Sequence, residues 1–291
     1  MAISVHPLTP TIGAELRGVE LGARLSDETV AEIRAALLEH HAVFIRGQDI
    51  DAHQQLEFCA RFGPVVPSVG KRHSDRVDGV TVLDQIRPVG QGADEWHSDH
   101  MFSSEPPLGT VLFAVRLPRT GGDTCYVSMA AAYDALSSSM QGFLDGLTAH
   151  NSNERTVANI KESGVYENAK DLDRLGPYTA THPVVRIHPE TGRKVLYVSP
   201  RDTIRIHELS RAESDAVLSI LFAHIQSPEF QCRFRWEKGS VAFWDNRAVQ
   251  HRAIPDYEER RIMQRTMIGD ASGVADSSAR PGSVPTPQPK L

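Results

Sequence analysis

The sequence has no uninterrupted apolar stretch of 18 residues, which excludes a membrane-spanning helix among its segments. It has no basic run either, and a formal net charge of −6 argues against nucleic acid as a partner. Cysteine is scarce. Cys59, Cys125 and Cys232 are odd in number and widely spaced, which suits reduced thiols better than a disulfide framework. Met1-Ala2-Ile3-Ser4 offers neither the charged nor the apolar region of a signal peptide, so a cytoplasmic location is expected. What is there is 291 residues with 40% hydrophobic content, enough to bury a sizeable core in one large β domain or two small ones.

The stretch Trp96-His97-Ser98-Asp99 reads as extended, and residues i and i+2 of a strand share a face. His97 and Asp99 can therefore grip one ion together, with a third ligand supplied from elsewhere. His251 is the candidate, since it follows the short strand and turn Phe243-Trp244-Asp245-Asn246-Arg247. Two imidazoles and one carboxylate on one side of a metal, with the other positions open, is the facial arrangement of non-haem Fe(II) oxygenases. Alone, a His-x-Asp pair in a chain with 13 histidines reads equally as ordinary surface or core residues.

A second segment bears on the choice. Arg260 to Ile268 alternates as a strand does, placing Arg261, Met263, Arg265 and Met267 on one face. If that face looks inward, two guanidinium groups lie about 13 Å apart at roughly 3.3 Å per residue. Buried arginine demands a partner. Charge-assisted bonds to carboxylates make a dicarboxylate cosubstrate and an anionic substrate natural occupants. An outward face would instead leave two solvated arginines.

Taken together, Trp96-His97-Ser98-Asp99, Gly121-Gly122-Asp123-Thr124, His182-Pro183-Val184-Val185-Arg186, Trp244-Asp245-Asn246-Arg247, His251 and Arg260-Arg261-Ile262-Met263-Gln264-Arg265 resemble the taurine dioxygenase family of Fe(II)- and 2-oxoglutarate-dependent oxygenases. The motifs occur in order from about Ile12 to Asp270. The resemblance implies Fe(II) held by His97, Asp99 and His251, 2-oxoglutarate held at its far carboxylate by Thr124 and Arg261, and O2 as the oxidant. It implies that Arg265 meets the substrate anion, and that Ala93, Phe102 and Asp202 fall at other substrate-contact positions. Succinate and CO2 would be released as the substrate is hydroxylated. If the hydroxylated carbon bears sulfonate, sulfate ester or aryloxy oxygen, the C–S or C–O bond then breaks.

Several positions depart from the taurine pattern. Ala93 stands where the taurine enzymes have Asn, Ser68 and Lys71 where they have His and Tyr in a first lid, and Asp202 where they have Phe. The pocket is therefore expected to serve another small anionic molecule: an alkyl sulfate ester, an aryloxyalkanoate or another small acid. Two readings from other classes stay open at this point, a non-catalytic jelly-roll sensor of metal or small molecules and a zinc hydrolase built on the same three ligands. A homo-oligomer is possible.

The expected fold is mainly β with flanking helices, a double-stranded β-helix of the jelly-roll, cupin-like type, with residues 1–272 as a single domain and 273–291 as a disordered tail rich in Ser and Pro. Ser26 caps a helix through Val30, Ile33 and Leu37; Asp51 with Gln54 caps a second, running to a stop at Gly63-Pro64; Ser210 with Glu213 caps a third. Phe230, Cys232, Phe234 and Trp236 alternate with polar residues as a strand with one apolar face. Val65 to Arg76 reads as a loop and lid candidate. Asn151 to Thr181, long, polar and broken by Gly164, Gly176 and Pro177, reads as a second lid without regular structure.

Overall fold

The strand Val241–Asp245 (β13) is buried along its whole length, and the reason is visible on both of its faces. Val241 and Phe243 pack with Ile33, Leu37, Phe58 and Cys59, side chains of two helices. Ala242 and Trp244 pack with Tyr126, Cys232, Phe234 and Val249, side chains of a second sheet. A strand covered on both sides reads as a continuous apolar run rather than an alternation. This computed structural model describes residues 3–67, 77–86, 93–162 and 175–269.

β13 lies at the centre of a seven-stranded sheet. In sheet order the strands are Ser4–Pro7 (β1), Ala14–Arg17 (β2), Ala42–Ile45 (β3), β13, Gly109–Arg116 (β5), Arg261–Ile268 (β15) and Thr81–Gln85 (β4). Only β2 and β3 pair in parallel; the other neighbours are antiparallel. Facing it is a three-stranded sheet of Gln231–Phe234 (β12), Thr124–Ser128 (β6) and Val249–Ala253 (β14). The apolar layer between the two is the interior of a jelly roll, as the strand pattern predicts. A further sheet joins Thr203–Ile206 (β11), Thr148–Ser152 (β7) and Thr179–Pro183 (β8), and a hairpin joins Val185–Ile187 (β9) to Lys194–Leu196 (β10).

The helices lie outside. Asp27–His40 (α1) starts at Ser26, whose hydroxyl accepts from Thr29 N at 3.1 Å, and stops where His41 turns into the left-handed region at φ 62°. Ala52–Ala60 (α2) starts at a capping box of Asp51 and Gln54 and ends before the expected stop, because Arg61 and Phe62 close it with tight turns onto Phe58 and Cys59. Met129–Asp134 (α3), Ser138–Leu144 (α4) and Arg211–His224 (α6) cover the far side in a separate apolar cluster. Ser210 and Glu213 form the capping box of α6. Among the described residues no helix is long and apolar enough to cross a membrane.

The segment 151–181 departs from expectation. Its first residues finish β7, Glu154–Glu162 is a helix (α5), and β8 begins at Thr179. Only Val157 of α5 is buried, so the helix adds little to the core, and its nine residues are a short stretch among charged neighbours. The side chain of Asn153 supplies the local order: Nδ2 donates to Leu175 O at 2.8 Å and Oδ1 accepts from Tyr178 N at 2.7 Å. The centre of this lid candidate, 163–174, lies outside the described residues, as do most of the first lid candidate and the tail.

Candidate metal and cosubstrate site

His97 and His251 are brought side by side by their own backbones. His97 N donates to His251 O at 3.1 Å and His251 N donates to His97 O at 2.8 Å, an isolated antiparallel bridge. Directly opposed residues of an antiparallel pair present their side chains on one face, and the two rings sit with centroids 4.1 Å apart. The Ser98 hydroxyl, pointing the other way, lies 2.6 Å from Asn246 O and 2.7 Å from Val249 O and ties the motif to the β13–β14 turn.

Among the described residues, one group of His, Cys, Asp or Glu side chains comes close enough to share an ion. It is His97, Asp99 and His251, all buried, with candidate ligand atoms within 4.8 Å of one another. The free atoms are identifiable. His97 Nδ1 donates to Glu95 O at 2.7 Å, which leaves Nε2 as the ligand; it lies 3.9 Å from Asp99 Oδ1. Asp99 Oδ2 accepts from the Thr110 hydroxyl at 2.7 Å, leaving Oδ1 free. Thr110 in turn accepts from Asn246 Nδ2 at 2.9 Å, and Asn246 Oδ1 accepts from Trp244 Nε1 at 2.9 Å. A chain of hydrogen bonds thus holds the carboxylate in place, as supporting shells of metal ligands do.

The protonation states suit a cation. Burial and the nearby Arg201 guanidinium hold His97 well below the ordinary imidazole range, and burial lowers His251 to about 4. Burial alone would raise Asp99, but the neighbouring imidazoles of His251 and His97, the Arg265 guanidinium and the Thr110 hydroxyl together keep its proton off, with Arg265 the permanent cation among them. Two neutral imidazoles and an ionised carboxylate form a donor set that fits a divalent metal of the Fe(II) class.

The inward face of β15 continues the site. Met263 lies in the interior cluster, while Thr266, of opposite parity, meets Gln55 of α2 at 3.2 Å. Arg261 and Arg265 therefore share a face, as the alternation predicts, and the packing of Met263 makes that face the inward one. Arg261 is 4% exposed, yet its Nε and Nη2 have no hydrogen-bond partner among the described residues. Burial pulls its pKa below the ordinary value, only partly offset by Tyr257, Tyr126 and Asp123 nearby. Its guanidinium lies over the Trp236 ring at 5.8 Å. Trp236 Nε1 donates to the Thr124 hydroxyl at 3.0 Å, so the Thr124 proton is left for an acceptor. Gly122, at φ +75°, makes the space: a Cβ there would stand 3.2 Å from Arg261 Cδ.

Arg265 is the more open of the two. Its side chain is 29% exposed and its Nη1 lies 3.7 Å from Asp99 Oδ1. Ala93 accepts Ala253 N through its carbonyl at 2.7 Å. The Phe102 ring lies 5.2 Å from His100 and 6.4 Å from Tyr178, the residue that Asn153 anchors. Asp202 has no exposed surface, and both its oxygens accept from Arg201 at 3.0–3.2 Å. Its influence on the site therefore runs through Arg201, whose Nη2 also lies 3.4 Å from Ser98 O. Ser68 and Lys71 lie outside the described residues.

Three residues of the site carried no reading in the sequence. Thr110 and Arg201 show no local signal, because their roles arise from contacts with segments far along the chain. His100 could have been flagged, as a second imidazole within four residues of His97 and next to Asp99.

Comparison with known proteins agrees with this geometry. The family model described as "Taurine catabolism dioxygenase TauD, TfdA family" matches residues 4–267. An alpha-ketoglutarate-dependent sulfate ester dioxygenase of Pseudomonas putida is 37% identical over 282 residues, covering 93% of this chain and 91% of that protein. An alpha-ketoglutarate-dependent 2,4-dichlorophenoxyacetate dioxygenase of Cupriavidus pinatubonensis is 32% identical, covering 93% of this chain and 99% of the other. The crystal structure of a taurine dioxygenase from Burkholderia xenovorans superposes with a TM-score of 0.78 at 38% identity, over 93% of this chain and 92% of that one.

Proposed function

Because the chain belongs to the TauD/TfdA taurine dioxygenase family, we propose that His97, Asp99 and His251 hold the iron, and Arg261 and Thr124 the cosubstrate, of an Fe(II)- and 2-oxoglutarate-dependent dioxygenase acting on a small organic anion. The observation that carries the assignment is Arg261, a buried guanidinium with two nitrogens unpartnered among the described residues, on the same inward strand face as Arg265, which reaches Asp99. A dicarboxylate supplies the partner that this cation lacks. A zinc hydrolase has no use for such a group, and a sensor would release no succinate.

When bound, iron and 2-oxoglutarate supply the oxidising power: one atom of O2 leaves in succinate as CO2 departs, and the other enters a substrate C–H bond as hydroxyl. The chain's own residues bind, orient and exclude water. Thr110 fixes the Asp99 carboxylate, the Glu95 carbonyl fixes the tautomer and tilt of His97, and Arg265 receives the anionic end of the substrate. Among candidate substrates, a sulfate ester has the support of the Pseudomonas putida relative, which covers nearly the whole chain. Hydroxylation of the carbon next to the ester oxygen gives a product that collapses to aldehyde and sulfate with the electron pair of the C–O bond leaving on sulfate.

The experiment is succinate release measured with Fe(II), 2-oxoglutarate and a panel of alkyl sulfates, alkanesulfonates and aryloxyalkanoates. Substrate-dependent release with at least one class is expected. A full panel with no release above the substrate-free rate would overturn the reading.

A further inference from the structure

Next to Asp99 the backbone does something costly. His100 adopts φ 53°, in the left-handed region that a residue with a Cβ rarely enters. A strained conformation of this kind persists only where the surroundings hold it, and here it sets the imidazole ring against the Phe102 ring, with centroids 5.2 Å apart. The charged groups that neighbour that ring are Asp99, Arg265 and Arg201. His100 Nδ1 is buried and has no hydrogen-bond partner among the described residues. Arg265 Nε is in the same condition, buried and unpartnered. Arg201 differs, since its Nε and Nη2 are engaged with Asp202.

Two buried nitrogen donors, one on the residue that follows Asp99 and one on the side chain whose Nη1 lies 3.7 Å from Asp99 Oδ1, both without a partner among the described residues, offer a two-point grip for an anion. Leaving such donors unsatisfied is costly, so the molecule that satisfies them is recognised by them. A neutral imidazole carries one N–H, and an anion at Nδ1 selects the tautomer that donates from that atom. Phe102 and, beyond it, Tyr178 extend an apolar wall away from the grip, with their rings nearly parallel at 15° and 6.4 Å apart.

We infer that His100 is a specificity-determining residue that donates from Nδ1, together with Arg265, to the sulfo head of an organosulfate whose aliphatic body lies on Phe102 and Tyr178. This rests on the dioxygenase reading given above and deepens it. A sulfo head offers three terminal oxygens and so meets two donors on different elements while its ester oxygen and the adjoining carbon face the metal cluster. A carboxylate offers two oxygens in one plane and meets the pair less well.

The test is calorimetric titration of n-hexyl sulfate and of n-hexanoate into the protein loaded with Mn(II) and 2-oxoglutarate, for the unaltered chain and for His100→Gly and His100→Asn. Glycine relieves the left-handed backbone and removes the donor; asparagine tolerates that backbone and restores an N–H. His100→Gly is expected to weaken n-hexyl sulfate by about tenfold to a hundredfold, the range of one hydrogen bond to a charged group. It should weaken hexanoate less, with the affinity for 2-oxoglutarate unchanged. His100→Asn should recover part of the loss, which a merely structural role would not predict. In turnover with n-hexyl sulfate, the loss should fall on KM and on coupling of succinate to substrate oxidation. Unchanged n-hexyl sulfate affinity in His100→Gly overturns the proposal, as does a matching loss of 2-oxoglutarate affinity. Equal losses for both probes overturn the assignment of a sulfo head. These titrations read binding without turnover, so failure of the dioxygenase reading, seen as no succinate with any substrate, is distinguishable from failure of the His100 inference.

Discussion

Replacing Arg261 by Met separates what the guanidinium does for the cosubstrate from what it costs the fold. The side chain is 4% exposed and leaves Nε and Nη2 without hydrogen-bond partners among the described residues, while methionine fills a similar volume without charge. Two charge-assisted hydrogen bonds to a carboxylate are worth about 1.5–3 kcal/mol each, or about 3–6 kcal/mol together. At about 1.4 kcal/mol per tenfold, the 2-oxoglutarate requirement should rise by two to four orders of magnitude with every substrate tested. Stability without cosubstrate should move the other way. Replacing a buried, only partly compensated cation with an apolar chain gains about 1–3 kcal/mol, from which the lost attraction to Trp236, about 0.5–1 kcal/mol, is subtracted. The net gain of about 1 kcal/mol corresponds to a midpoint roughly 2 °C higher for a chain of this size. In the unaltered protein, 2-oxoglutarate at a hundred times its Kd should add about 2.7 kcal/mol, and in Arg261→Met the same concentration should add almost nothing. Thermal melts with and without 2-oxoglutarate, and steady-state titration of the cosubstrate, measure both halves. A variant that keeps the original 2-oxoglutarate dependence in melts and kinetics would refute the clamp.

Thr110→Val should leave Asp99 Oδ2 and Asn246 Nδ2 without their shared hydroxyl and weaken metal binding by about 10–100-fold; competition titration with Mn(II) reads this, and unchanged affinity would remove Thr110 from the supporting shell. His41 supplies a pH dependence. Burial and the Arg193 guanidinium, whose Nη1 stands 3.4 Å from His41 Nε2, lower it from 6.5 to about 4. Between those values the unfolded chain binds more protons than the folded one, so stability is full above the unfolded value and falls as pH drops toward 4. The loss between pH 7 and pH 5 should be about 2 kcal/mol from this group. His41→Asn, which suits the left-handed backbone at φ 62°, should flatten that slope in denaturant melts, and an unaltered slope would assign the acid sensitivity elsewhere.

The features legible in the sequence are those that obey a local rule. Alternation along β15 put Arg261 and Arg265 on one face, and the interior packing of Met263 shows that the face is the inward one. Ser26, Asp51 and Ser210 mark their helices because a cap needs only residues three apart. The His-x-Asp spacing marked two ligand candidates, but only His97 lies in a β-bridge and Asp99 sits in a turn, so the turn and not strand alternation brings the carboxylate to the imidazoles. Tertiary structure alone decided the rest. His251 stands beside His97 because two segments far apart in the chain pair backbone to backbone. Thr110 reaches Asp99, and Arg201 reaches Asp202 and Ser98, through contacts that leave no periodic trace. Helix α5 buries one side chain, and just before it the amide of Asn153 reaches Leu175 and Tyr178, more than twenty positions on, a contact that no local rule announces. Periodicity records which way a side chain faces along its own strand or helix; what it meets there depends on chain closure over long separations, and single residues do not encode that distance.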